Sequence, residues 1–209
     1  MPQQIDSLEG ALAHIQGILE SSQERFLLGI VGKPGSGKST FTKTLLKSLK
    51  SDEVAIISMD GYHMSNEILL MLDRRERKGA PDTFDVSDFA QLLVTVRQAK
   101  ERVFFPRFDR SIEASIPDGA SIPASARVII IEGNYLLHDS DGWDVIAPLL
   151  DQSWFLDIDD WMRQARLISR HIRYGKSPEA AREWALGSDE NNALLIERGR
   201  SRADYIVSV

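Results

Sequence analysis

The segment GKPGSGKST, residues 32–40, has the residue types and spacing that suit phosphate binding. It fits the pattern G-x-x-x-x-G-K-[ST], in which glycines let the backbone direct several N–H groups at one anion. The lysine supplies a cation for the β- and γ-phosphates, and the serine hydroxyl suits Mg²⁺. We therefore predict that this phosphate loop binds ATP through Gly32, Lys33, Pro34, Gly35, Ser36, Gly37, Lys38, Ser39 and Thr40.

Two acids end apolar runs that are typical of buried strands. Asp60 ends VAIISMD, and Glu132 ends VIIIE. Because ligands of open α/β sheets bind at the carboxyl ends of strands, both acids are predicted to lie near the phosphate loop. Glu132 with Ser39 is predicted to hold Mg²⁺, the alternative being an ordinary acid at a strand end. Asp60 is either a general base for an attacking hydroxyl or a residue that caps the turn with Gly61.

An arginine stripe in DDWMRQARLISRHIR is spaced by three, four and three residues, which places its members on one helix face. Such a stripe is usually a solvated face with local ion pairs. We favour a lid that closes over the nucleotide, with Arg163 and Arg166 stabilising the transferred phosphoryl group and acting in catalysis with Lys38. The other two arginines, Arg170 and Arg173, would hold the lid.

Apolar runs alternate with helical patterns along the whole chain, which predicts a parallel sheet with helices on both sides. We expect one domain over 1–209, with an N-terminal helix within 1–24 and a lid and following helix at about 160–187. Residues 107–125 are predicted to be a turn-rich excursion. The predicted strands are 25–31, 53–59, 101–106, 126–132, 153–158 and 204–209. The predicted helices are 4–20, 37–50, 86–99, 143–150, 160–173, 178–186 and 189–199.

The composition of the chain bears on its partners and its compartment. The 209 residues carry a net charge of −6, so there is no general electrostatic support for nucleic-acid binding. The chain contains no cysteine. No apolar run approaches the length of a membrane span, and the polar start MPQQIDSLEG is unlike a secretion signal. We therefore expect a cytoplasmic protein without membrane insertion. The tryptophans lie either in cores or at a subunit contact, so the sequence leaves open whether the protein forms a homodimer.

Five segments in order resemble one enzyme family: GKPGSGKST, SMDGYHM, RKGAPDTFDVSDF, FPRFDR and VIIIEGNYLL. They are similar to the uridine kinase, phosphoribulokinase and pantothenate kinase group of P-loop kinases, and within it to bacterial kinases named for fructose transport systems. The similarity covers residues 26–205. It implies a three-layer α/β/α P-loop NTPase fold with a central parallel sheet and a helical lid. It also implies an ATP- and Mg²⁺-dependent kinase for a hydroxyl of a sugar or related metabolite.

The resemblance also implies roles for individual residues. Asp60 corresponds to the catalytic acid of the family, Glu132 lies at the metal, and 163–173 belongs to the lid. FPRFDR departs from the tyrosine-containing patterns of better-known members, so pantothenate and nucleoside kinases, or a regulatory ATPase of a transport system, stay open as alternatives. Asp109 suits sugar hydroxyls, whereas Arg107 or Arg110 suits an anionic group. The residues expected around the acceptor are Tyr62, His63, Asp82, Phe84, Arg107 and Asp109.

Overall fold

A computed structural model describes residues 1–21, 23–49 and 51–208. Six strands form one parallel sheet in the spatial order β1-β8-β7-β2-β6-β3, and β4 and β5 form a separate antiparallel hairpin. The strands are β1 (Gln3–Ile5), β2 (Phe26–Val31), β3 (Val54–Ser58), β4 (Val103–Asp109), β5 (Ala114–Ile122), β6 (Val128–Gly133), β7 (Gln152–Asp157) and β8 (Tyr205–Ser208).

Helices cover both faces of the sheet, because the central strands are apolar on both sides. In β6, Val128 and Ile130 pack towards α1 and α2, whereas Ile129 and Ile131 pack towards α4 and α7. The result is the α/β/α architecture that the sequence predicts. The helices are α1 (Leu8–Ser21), α2 (Lys38–Leu49), α3 (Asn66–Met71), α4 (Val86–Gln98), α5 (Asp160–Arg173), α6 (Pro178–Leu186) and α7 (Ser188–Glu197). None of these helices combines the length and apolar character needed to cross a bilayer.

The segment 101–106 is not a strand of the main sheet, contrary to the prediction. Its apolar residues belong to β4, which pairs with β5 inside the segment predicted to be turn-rich. An antiparallel partner that follows closely in sequence needs no crossover helix. Pro106, which has no N–H to donate, lies where the register between the two strands shifts.

Two of the predicted helices also differ from the helices of the structure. Residues 143–150 form two 3₁₀ turns, Trp143–Val145 and Ala147–Leu149, with Pro148 removing an N–H from the second. The first helix begins at Leu8, where the Ser7 hydroxyl accepts the N–H of Gly10. The residues before it form β1, which pairs with β8.

The strand order brings the candidate residues to one edge of the sheet. β2 lies between β6 and β7, and β3 lies on the far side of β6. The phosphate loop follows β2, Glu132 is the next-to-last residue of β6, and Asp60 follows β3. Because all these strands are parallel, their carboxyl ends meet at the same edge.

Candidate active site

The phosphate loop is shaped by glycines and covered by α5, the helix that is predicted to form the lid. Gly35 and Gly37 have φ angles of 80° and 93°, a conformation that other residues adopt at a cost. A Cβ atom at Gly35 would lie 2.5 Å from the carbonyl oxygen of Arg163, so α5 packs directly on the loop. Helix α2 begins at Lys38, and its free N–H groups and dipole therefore favour an anion at the loop.

The Lys38 ammonium lies inside this loop. Its Nζ donates to the carbonyl of Gly32 at 2.7 Å and to Oδ1 of Asn134 at 2.6 Å. Removal from water lowers the pKa of Lys38 to about 8, although the charges of Glu132 and Asp60 oppose this shift. Asn134 was not singled out from the sequence, and its position directly after the strand end VIIIEG was the available signal.

The carboxylate of Glu132 faces the first turn of α2. Its Oε1 accepts a hydrogen bond from the Ser39 hydroxyl at 3.1 Å. Its Oε2 is buried without a hydrogen bond from the described residues, and burial raises the pKa of this acid. A hydroxyl beside an unsatisfied carboxylate oxygen fits Mg²⁺, which keeps water and phosphate as its other ligands. Within the described residues no cluster of three His, Cys, Asp or Glu side chains suits a metal.

Asp60 projects from the 3₁₀ turn Met59–Tyr62, directly after β3. The Ser58 hydroxyl, not the Asp60 carboxylate, accepts an N–H of this turn, at 3.4 Å. The carboxylate instead accepts a hydrogen bond from Nη2 of Arg110 at 2.8 Å. Gly61 leaves room for the β4–β5 hairpin, since a Cβ there would overlap the carbonyl of Pro106. The Asp60 carboxylate therefore does not cap this turn, which was the alternative role predicted for it.

The hairpin presents Phe108 and Arg110 to the site. The Phe108 ring lies 5.0 Å from the ring of His63, and Arg110 pairs with Asp60. Residues two apart on a strand share a face, so Arg107 and Asp109 belong to the opposite face. The resemblance had implied that the whole segment 107–110 surrounds the acceptor, without distinguishing Phe108 from its neighbours.

Arg107 and Asp109, both expected around the acceptor, have other partners in the hairpin. Nε of Arg107 donates to the carbonyl of Gly119 at 3.3 Å. Oδ1 of Asp109 accepts from the N–H and hydroxyl of Ser111 at 2.9 and 2.6 Å, and these bonds lower its pKa. The hydrogen bonds of these two side chains thus lie within the hairpin.

Of the aromatic residues expected near the acceptor, His63 and Phe84 stack with 4.0 Å between ring centroids. Burial lowers the pKa of His63 to about 4, so the imidazole is neutral near pH 7. Tyr62 is buried instead, with its ring 5.2 Å from that of Phe89 in the hydrophobic core. It therefore supports the site from behind.

Asp82 lies in the loop 79–84 and is held by arginines. Its Oδ1 accepts from Nη1 of Arg77 at 2.7 Å. The Tyr135 hydroxyl and the Trp143 indole N–H donate to backbone carbonyls of the same loop, at 2.6 and 3.0 Å. These bonds fix the backbone that carries Phe84 under His63. Asp82 is thus tied to the loop rather than free for an acceptor.

Arg163 does not meet the expectation that it faces the transferred phosphoryl group. Its side chain is 1% exposed. Nη2 donates to both oxygens of Glu190 at 2.6 and 2.7 Å, and Nε donates to Asp160 at 2.6 Å. Asp160 also accepts from the Lys33 ammonium at 2.8 Å, so that lysine side chain points to the lid helix. The guanidinium ties α5 to α7 and to the phosphate loop.

Arg166 and Arg170 lie closer to the candidate site. Nη1 of Arg166 is 3.4 Å from the carbonyl oxygen of Ser36, inside the phosphate loop. Burial and the charge of Arg110 lower the pKa of Arg170, while the charge of Asp60 opposes this. Arg173 is exposed. The stripe thus has one buried member, two that approach the site, and one in solvent.

Comparisons with known proteins agree with this fold. The sequence profile described as Phosphoribulokinase / Uridine kinase family matches residues 27–209. A crystal structure named as a candidate fructose transport system kinase from Silicibacter sp. TM1040 is 37% identical, with a TM-score of 0.85, and covers 96% of this chain and 98% of that chain. Together with the site, these similarities define a P-loop kinase. The chain belongs to the phosphoribulokinase / uridine kinase family.

Two sequence relatives extend over most of the chain. A candidate uridine kinase of Schizosaccharomyces pombe is 33% identical over 196 residues, 88% of this chain and 83% of that protein. The protein YggC of Escherichia coli (strain K12) is 30% identical over 215 residues, 99% of this chain and 88% of that protein. The names of the Silicibacter and Schizosaccharomyces proteins suggest different acceptors, so the acceptor must be argued from the site.

Proposed function

We propose that this kinase transfers the γ-phosphoryl group of ATP to a hydroxyl of a sugar or related small metabolite, with Asp60 as general base. The position of Asp60 carries the proposal. Ser58, two residues before it, is paired in register with Glu132 on the neighbouring strand. The base and the metal-binding acid would therefore stand side by side, one towards the acceptor and one towards the phosphates. The similarity to the candidate fructose transport system kinase supports a sugar-like acceptor.

The phosphate loop and Lys38 would hold the β- and γ-phosphates of ATP. Ser39 and Glu132 would hold Mg²⁺, which supplies charge neutralisation across the phosphates when bound. The acceptor hydroxyl oxygen forms a bond to the γ-phosphorus as the bond to the β–γ bridging oxygen breaks. Asp60 accepts the hydroxyl proton, and ADP leaves. A positioned carboxylate is required because the hydroxyl must lose its proton as the new bond forms.

The lid arginines would stabilise the charge on the transferred group. Arg166 already contacts the phosphate loop, and the charge of Asp60 affects Arg170. Arginine donors suit the oxygens of a phosphoryl group because they form a fixed planar fork. Closure of α5 and α6 over the nucleotide would exclude water, which otherwise competes with the acceptor.

A coupled assay of ADP release tests the proposal. The enzyme is supplied with ATP, Mg²⁺ and a panel of sugars, sugar phosphates, sugar acids, nucleosides and pantothenate. Release that depends on one compound supports the kinase, and the identity of that compound distinguishes sugar, nucleoside and pantothenate acceptors. Release that is the same with every compound and with none would instead identify an ATPase.

The Asp60→Asn variant tests the base. Its turnover should fall by about 10²- to 10⁴-fold, the usual contribution of a general base, while its affinity for ATP stays near the wild-type value. Asp52→Asn is the matched control, since Asp52 is exposed and precedes the same strand at its opposite end. Normal turnover in Asp60→Asn would exclude the assignment.

A further inference from the structure

Two cations face the acceptor side of Asp60. Arg110 Nη2 lies 2.8 Å from Oδ2 of Asp60. The Lys78 ammonium lies 5.3 Å from the centroid of the Phe108 ring, whose other neighbour is His63. Both positive charges act on the buried His63 imidazole. Arg110, Lys78 and the two rings therefore form one cluster beside the proposed base, and we call the surface that they line the acceptor pocket.

The acids near this pocket are largely matched by other groups. Asp82 pairs with Arg77, and the carboxylate of Glu113 lies 3.4 Å from Arg75. Lys78 donates to neutral oxygens, the side-chain carbonyl of Asn66 and the backbone carbonyl of residue 113, both at 2.9 Å. The charges of Glu67 and Glu113 also act on Lys78, but in the part of the chain that the structure describes neither carboxylate is hydrogen-bonded to it, and Asp60 is the acid that pairs with Arg110.

The pair between Arg110 and Asp60 also occupies Oδ2, one of the two carboxylate oxygens that can accept a proton from the acceptor hydroxyl. The two side chains are 45% and 32% exposed, and pairs in such positions contribute little net stability. The bond can therefore be exchanged at low cost when a better partner for the guanidinium arrives. A carboxylate or phosphate is such a partner, because it accepts two parallel hydrogen bonds from arginine.

We propose that the acceptor is a hydroxyl-bearing metabolite with an anionic group, which Arg110 and Lys78 bind. On binding, Arg110 exchanges Asp60 for this anion, and the carboxylate becomes free to accept the hydroxyl proton. A neutral acceptor would leave Arg110 on one oxygen of Asp60. This inference rests on the proposed function, and it narrows the acceptor class to sugar phosphates, sugar acids and other small hydroxylated anions.

The test uses acceptor pairs that differ in the anionic group: ribose and ribose 5-phosphate, fructose and fructose 6-phosphate, glycerol and glycerate, pantothenol and pantothenate. Binding is measured by calorimetry with a non-hydrolysable ATP analogue filling the phosphate loop, and turnover by ADP release. Acetate and inorganic phosphate are titrated in the same complex as minimal probes. At least one anion should bind saturably, and about 10- to 100-fold more tightly than its neutral partner.

Arg110→Gln should remove this preference by the same factor. Arg102→Gln is the matched control, because it removes the same charge from an exposed position at the start of the hairpin. Phosphate-bearing and carboxylate-bearing compounds form separate arms, which identify the anion.

The outcomes separate the two proposals. Anion binding that depends on Arg110, without any ADP release, would support the pocket and contradict the kinase reaction proposed for these compounds. Turnover of a neutral acceptor at least as efficient as that of its anionic partner would overturn the anionic pocket and leave the kinase intact. Absence of saturable binding by every anion, the minimal probes included, would also overturn the pocket.

Discussion

Arg163 offers a sharp test of a structural role against a catalytic one. Replacing it with Met keeps most of the hydrocarbon packing but removes the guanidinium. Glu190 and Asp160 then lose their shared cation. Breaking a fully buried ion pair costs about 3–5 kcal/mol. Here the two carboxylates are 26% and 58% exposed and regain some water, so we expect a loss of about 2–3 kcal/mol in the free energy of unfolding.

The assay is urea unfolding followed by tryptophan fluorescence, since Trp143 and Trp154 are fully buried reporters of the core. A loss of this size corresponds to a fall in melting temperature of about 4–12 °C for a chain of this length. Arg166→Met is the comparison variant. It should unfold within about 1 kcal/mol of the wild type, while its turnover falls at least tenfold because it loses a cation at the phosphate loop.

A double variant separates the pair from its surroundings. If Arg163 acts through Glu190, then Arg163→Met combined with Glu190→Gln should cost less than the sum of the single changes. The reasoning fails if Arg163→Met keeps the wild-type stability within about 0.5 kcal/mol and loses turnover as Arg166→Met does. That result would restore Arg163 as a residue of the reaction.

Three further predictions follow from the phosphate loop and its neighbours. Because the free-enzyme pKa of Lys38 is about 8 and bound phosphates raise it, ATP binding takes up a proton above pH 8. The dissociation constant should then rise up to about tenfold per pH unit, and a constant value from pH 7 to 9.5 by calorimetry would contradict this. Glu132→Gln should raise the Mg²⁺ concentration for half-maximal activity by about 10- to 100-fold, and an unchanged requirement would remove it from the metal site. Gly35→Ala should abolish tight ATP binding and destabilise the protein by at least about 1–2 kcal/mol, because of its positive φ and its contact with α5. In the control Gly17→Ala, an added Cβ meets nothing within 4 Å, so it should stabilise α1 by about 0.5–1 kcal/mol; equal effects of the two changes would contradict the argument.

The arginine stripe of α5 shows what the sequence alone leaves undecided about the individual residues. The stripe of arginines predicts one face of α5, and the structure has them on that helix. Spacing alone gives all four the same status. Arg163 is distinguished from Arg166 by Glu190, which lies 27 residues further along the chain. A partner on another helix has no signature in the local pattern.

The β4–β5 hairpin makes the same point for the acceptor pocket. The letters FPRFDR leave open which residues face the site, because the strand was assigned to the main sheet. Once β4 is paired with β5, the alternation of the strand places Phe108 on one face and Arg107 and Asp109 on the other, and Arg110 follows directly after the end of the strand. The contact between Arg110 and Asp60 joins residues 50 positions apart.

The sequence by itself determined the phosphate loop, the strands that lead to it, the α/β/α layers and the acids at the strand ends. These features are local, because glycine geometry, apolar runs and strand ends are written in consecutive residues. Tertiary structure alone decided which arginine is buried, which approaches the phosphate loop and which one pairs with Asp60. Those roles depend on charges brought together from distant parts of the chain, and a side chain's burial and partners exist only after the elements have packed.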